Sequence, residues 1–168
     1  MNYHNPQSTS STINPSKNLV QCINHAQNLI DLCCKVLRYY YPTIEDSHLT
    51  PLESFVTELI KATNVNFSML QLSLIYISKL HDFQSEERKL LKQHPMFSCR
   101  RRMFLASLLI SVKILQEKAP KNNCWAKTCG IPLKEINESE RLVLQVLDFK
   151  LFVPAELFNY YRKRIAEL

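Results

Sequence analysis

Leu19, Ile23, Ala26, Ile30, Cys33, Leu37 and Tyr40 recur alternately four and three residues apart, a spacing that lays them along one stripe of a helix. Pro42 closes that segment, because its ring cannot continue the turn. The stripe is short and has weak Ala and Cys members, so it predicts a helix covering a core rather than a coiled-coil seam. "TPLE" at 50–53 announces the next helix: Thr50 as cap, Pro51 at the first helical position and Glu53 completing a capping box. Phe55, Val56, Leu59 and Ile60 follow on one face. The stretches 67–80 and 103–112 are apolar or small on nearly every side, which for a helix means central burial. "NCWAK" predicts a short helix ended by Gly130, with Trp125 packing that turn onto the rest of the protein. A longer helix over 132–148 buries Ile136, Leu142, Val143, Val146 and Leu147, and Pro154 opens a last one whose basic residues gather near its end, where the helix dipole favours them. Beyond the short "LFV" at 151–153, no strand is indicated.

One residue breaks this pattern. Lys113 stands inside "FLASLLISVKIL", where its ammonium must either snorkel over its apolar neighbours to water or meet a partner.

Composition narrows the chemistry. The 168 residues, 19.7 kDa and 46% hydrophobic content suit one domain able to bury a core without disulfide staples. A single glycine, Gly130, excludes glycine-rich phosphate loops. Residues 1–16 are rich in Asn, Ser, Thr and Pro, hold no apolar signal-peptide core and read as a flexible tail. The longest apolar-or-small run, 103–112, is about half of what a bilayer crossing needs, so the expectation is an intracellular protein of the cytoplasm or nucleus without membrane attachment. Six cysteines form no CxxC pair and five histidines show no metal-ligand spacing, so reduced thiols and no metal are expected. The dipeptide His81–Asp82 is a faint hydrolase signal. With no nucleophile–base pair and no paired carboxylates at telling spacing, neither enzyme nor cofactor chemistry is indicated.

The net charge of +6 and the cluster Arg88, Lys89, Lys92, Arg100, Arg101 and Arg102 leave open a surface for nucleic acid or for a substrate phosphate. Aromatics are not interleaved with these bases as a stacking platform requires.

Three stretches, "RRRMFLASLLISVKILQE", "NNCWAKTCGI" and "KEINESERLVLQVLDFKLFVP", resemble in order and separation the third to fifth helices of a cyclin box. A less specific likeness runs upstream through "LESFVTELIKATNVNFSMLQLSLIYISKL". "PKNNCWAK" and "EINESE" are most similar to yeast cyclins of the phosphate-regulon and PCL type. The resemblance implies an all-α fold: a five-helix cyclin box over 50–153, flanked by an N-terminal helix and linker at 17–49 and by a C-terminal helix at 154–168. It implies a regulatory subunit that binds and activates a cyclin-dependent protein kinase and helps select its protein substrates, in the cell cycle or phosphate regulation. The alternative is a basic helical nucleic-acid-binding module of cyclin-like fold. On the resemblance, Lys113 and Glu140 are the pair that contacts the kinase, both exposed in the free chain and of little weight in folding. Glu117 falls on an acidic position able to meet kinase arginines, and is otherwise an exposed acid at a helix end. Arg100, Arg101 and Arg102 are the candidate substrate or phosphate surface. The helix at 51–62 lacks the Met-Arg-Ala-Ile-Leu-type motif with which cell-cycle cyclins recruit substrates. Far-UV circular dichroism of the full chain is expected to be helix-dominated, and a sheet-rich spectrum would contradict the whole reading.

Overall fold

The computed structural model describes residues 15–42, 50–82 and 93–167, with side chains from residue 27 onward. The described residues form helices α1 (Pro15–Tyr40), α2 (Leu52–Thr63), α3 (Phe67–Asp82), α4 (Arg100–Leu115), α5 (Asn122–Cys129), α6 (Leu133–Val146) and α7 (Ala155–Ala166), with a 3-10 turn at Pro95–Ser98 and no strand. The all-α expectation therefore holds, and Leu151–Phe152–Val153 is irregular backbone. Most of the polar tail assigned to 1–16 lies outside the described residues, as do Arg88, Lys89 and Lys92.

The two all-round apolar stretches become the two central helices. α3 buries every residue from Met69 to Leu80 except Gln71, and α4 buries Arg100 and every residue from Met103 to Val112. These two pack on each other more extensively than any other pair, with α6, α1 and the 3-10 turn completing the ring around α4. Their serines solve a local problem of polarity: Ser73, Ser78 and Ser111 donate to backbone carbonyls of their own helix at 2.7, 3.1 and 2.8 Å, which lets a small side chain face a neighbouring helix without a partner there.

The capping box at α2 does not form. No side chain caps this helix, and Pro51 is its extended N-cap residue. The Thr50 carbonyl instead accepts from the Arg101 guanidinium. Glu53 turns to Arg38 of α1, accepting from Nη2 at 2.6 Å, because a bond between two charged groups outcompetes one to a backbone N–H. The guanidinium holds the Glu53 carboxyl below its ordinary range.

His81 and Asp82 each meet a residue of a neighbouring helix. The His81 ring lies 4.8 Å from Tyr40 of α1. Asp82 accepts from Arg164 of α7 at 2.5 Å, and that guanidinium also covers the Tyr40 ring at 5.8 Å. One cluster so ties the ends of α1, α3 and α7.

Trp125 is 1% exposed in α5, which packs on α6 and α2; Gly130 ends that helix in the left-handed region at φ 65°. Trp125→Ala is expected to cost about 3–5 kcal/mol, read as a lowered denaturation midpoint with an unchanged urea slope; a variant as stable as wild type would show that the ring does not hold the turn.

Candidate functional site

Lys113 lies in the last turn of α4, where burial gives out: Val112 is fully buried, while Ile114 and Leu115 are 50% and 47% exposed. Its ammonium donates to Glu140 Oε1 of α6 at 2.6 Å. The other carboxylate oxygen of Glu140 accepts from Asn122 Nδ2, at the start of α5, also at 2.6 Å, and the same amide donates to Asn137 Oδ1 at 2.8 Å. One carboxylate thus joins the end of α4 and the beginning of α5 to the middle of α6. The sequence resemblance paired Lys113 with Glu140, and the structure brings them together. The Glu140 side chain, however, is only 15% exposed against 35% for Lys113, which corrects the expectation that both are exposed.

A second ion pair, Arg102 to Glu135 at 2.7 Å, fixes the direction of the two helices. From Arg102 to Lys113 α4 advances about 16 Å, and from Glu135 to Glu140 α6 advances about 8 Å. The earlier residue of each helix pairs with the earlier of the other and the later with the later, so the two helices do not run antiparallel. The chain leaving α6 turns sharply. Asp148 and Phe149 stand at φ 54° and 53°. Their N–H groups bond to the carbonyls of Gln145 at 3.0 Å and Leu144 at 2.9 Å, the pattern of a Schellman closure built without glycine. Left-handed backbone at such residues costs on the order of 1–3 kcal/mol each. Phe149 and Phe152 are 66% and 82% exposed. Pattern reasoning missed these two phenylalanines, together with Ile114 and Leu115; the signal available was two aromatics flanking a lysine just past a helix with no glycine to turn it.

Glu117 is exposed in the turn beyond α4, outside the Lys113–Glu140 pair. The three arginines do not make one surface. Successive helix positions diverge by about 100°: Arg100 is 7% exposed, Arg101 reaches Thr50 and lies 5.3 Å over the Phe55 ring, and Arg102 is committed to Glu135. Arg102 does border a cleft of about 180 Å³, shared with His94, Glu135, Glu138 and Ser139, but its two carboxylates repel phosphate. Among the described residues, these three arginines therefore form no joint basic patch. Among the described residues no cluster of three or more His, Cys, Asp or Glu can hold a metal ion, and no helix is long and apolar enough to cross a membrane.

The described residues thus form a helical globule with a charged pair at its surface and exposed apolar residues next to it in the chain. The sequence profile described as Cyclin matches residues 7–151, and the chain belongs to the cyclin family. It is 30% identical over 121 residues, 72% of its length, to the G1/S-specific cyclin pas1 of Schizosaccharomyces pombe, of which this covers 29%. It is 36% identical over 125 residues, 69% of its length, to PHO85 cyclin-1 of Saccharomyces cerevisiae, covering 43% of that protein. PHO85 cyclin-2 of the same yeast is 30% identical over 108 residues, 63% of this chain and 33% of the relative. The chain therefore spans less than half the length of these curated relatives. Its likeness is to the PCL group, as the sequence resemblance implied.

Glu140→Ala leaves Lys113 and Asn122 without their shared acceptor and is expected to lower stability by about 1–3 kcal/mol, whereas Lys113→Ala, whose group reaches water, should cost under about 1 kcal/mol. Chemical denaturation of both variants checks the asymmetry; equal and negligible losses would mean that Glu140 does not join the three helices.

Proposed function

We propose that the chain is the regulatory subunit of a cyclin-dependent protein kinase, of the kind named by its PHO85 cyclin relatives, and that it helps select that kinase's protein substrates. The observation that carries the reading is the Lys113–Glu140 pair, held at 2.6 Å, with the exposed Ile114 and Leu115 next to Lys113 in the chain. A charged pair set in apolar surroundings is the make-up of an interface centre, where apolar neighbours exclude water and the charges fix register.

Catalysis belongs to the kinase. Phosphoryl transfer needs the kinase's β3 lysine, C-helix glutamate and metal-binding aspartate in place together. A partner that binds only the assembled conformation shifts the kinase toward it by its differential affinity, and a shift from 1:99 to 99:1 takes about 5.5 kcal/mol. Lys113 and Glu140 act at the kinase's activating helix. Exchange of bonds suits them: the side chains already pair with one another, so neither charge is bare in the free subunit, and each keeps further lone pairs or protons for the partner. Glu117, in its exposed turn, supplies a carboxylate to kinase arginines that would otherwise hold a phosphate, a partial mimic at best. The protein works in the cytoplasm or nucleus, where such kinases meet their substrates.

Titration of a cyclin-dependent kinase with the full chain tests this. Lys113→Ala and Glu140→Ala, measured well below their melting temperatures, are expected to weaken association by about 2–5 kcal/mol, or about thirty-fold to several thousand-fold. Lys61→Ala and Glu58→Ala, at exposed positions of α2, should stay within about 1 kcal/mol. If the α4 and α6 variants bind as well as these controls, the pair serves only to hold α4 against α6.

A further inference from the structure

The segment leaving α6 is strained on one side and fastened on the other. Its outward face carries Phe149 and Phe152, 66% and 82% exposed, on backbone that starts with two left-handed residues. Its inward face is held by polar groups of the central helix α3. Lys79 Nζ donates to the Lys150 carbonyl at 2.9 Å, and the Tyr76 hydroxyl donates to the Leu151 carbonyl at 2.8 Å. Leu151 and Val153 pack against the core between and beyond these bonds.

Lys79 is the unusual member. The residue is 8% exposed, and burial holds its ammonium below the ordinary lysine pKa. An apolar side chain of similar length would spare that desolvation. Locally the ammonium has the Tyr76 ring 6.0 Å away, and beyond that it supplies a bond to one carbonyl 71 residues away in sequence. Tyr76 does the same from one turn earlier, fully buried except for its hydroxyl's role at the adjacent carbonyl.

We infer that Lys79 and Tyr76 are positioning residues for the partner-binding surface: by drawing the carbonyls of Lys150 and Leu151 inward, they hold the 148–152 segment in the strained conformation that presents Phe149 and Phe152 outward. This rests on the kinase-binding reading above and deepens it, since a rigid aromatic pair loses little freedom when a partner covers it. On this inference the two phenylalanines belong to the same partner-facing surface as Lys113, Ile114 and Leu115.

The test uses full-length Lys79→Met and Tyr76→Phe, each of which keeps the apolar bulk and deletes the donor. Two readouts are needed. Chymotrypsin cleavage mapped by mass spectrometry reports the segment without any kinase, and titration with the cyclin-dependent kinase reports the surface. Both variants should be cut about tenfold faster after Phe149 or Phe152, with cleavage after buried Phe104 unchanged. Both should bind about tenfold more weakly, and Lys79→Arg should restore both properties. Wild-type cleavage in the donor deletions overturns the anchoring, and faster cleavage at Phe104 to the same degree overturns it too, as simple loss of fold. If cleavage accelerates locally while the kinase binds normally, and Lys113→Ala still loses binding, the positioning role is wrong although the function stands. If Lys113→Ala also binds normally, it is the kinase-binding reading of this surface that has failed, and with it the role given to the anchored segment.

Discussion

α4 has almost no face to give to water, and the architecture follows from that. From Met103 to Val112 every side chain is buried, so a helix about 15 Å long over those residues must be enclosed on all sides. α3 covers it most fully; α6, α1 and the turn before it close the remainder. Burial at roughly 25 cal/mol per Å² of apolar surface favours this arrangement without regard to direction. Direction comes from the polar groups where burial stops. Arg102 near one end and Lys113 near the other are each held by a carboxylate of α6, and those two bonds set how α6 lies across α4.

The same division of labour recurs around the molecule. Arg38 reaches from α1 to α2, Arg164 from α7 to α3, and Lys79 from α3 to the chain leaving α6. Several of the described cations therefore serve to join helices. A run such as Arg100–Arg101–Arg102 reads as a patch in one dimension, but a helix sends its three members apart, one inward, one to α2 and one to α6.

The side that carries Lys113 and Glu140 has a different character. Lys113 and Glu140 satisfy each other, while Ile114, Leu115, Phe149 and Phe152 remain uncovered beside or near the ends of the same two helices. Uncovered apolar side chains have a cost in the free protein, and one of these, Phe149, itself stands on left-handed backbone. On the proposed reading, a kinase that covered them would recover that cost on association, which is how a small subunit could carry enough differential affinity to hold another protein in one conformation.

Periodicity alone determined the helices of this chain. The apolar stripes located α1, α6 and the two buried helices, and the proline and glycine positions marked ends at Pro42, Gly130 and Pro154, because these signals are local and depend on 3.6-residue geometry and fixed backbone preferences. The likeness of three stretches to a cyclin box supplied the family and paired Lys113 with Glu140, which lie 27 residues apart with nothing in their spacing to join them. Only the tertiary structure decided the rest. It cancelled the capping box by offering Glu53 a guanidinium from α1, it half-buried Glu140 under a second bond from Asn122, and it exposed phenylalanines that a hydropathy pattern assigns to a core. Each of these depends on which side chains arrive from distant segments, since a charged or apolar group settles where its best partner stands, and the chain brings that partner near only after its helices have packed.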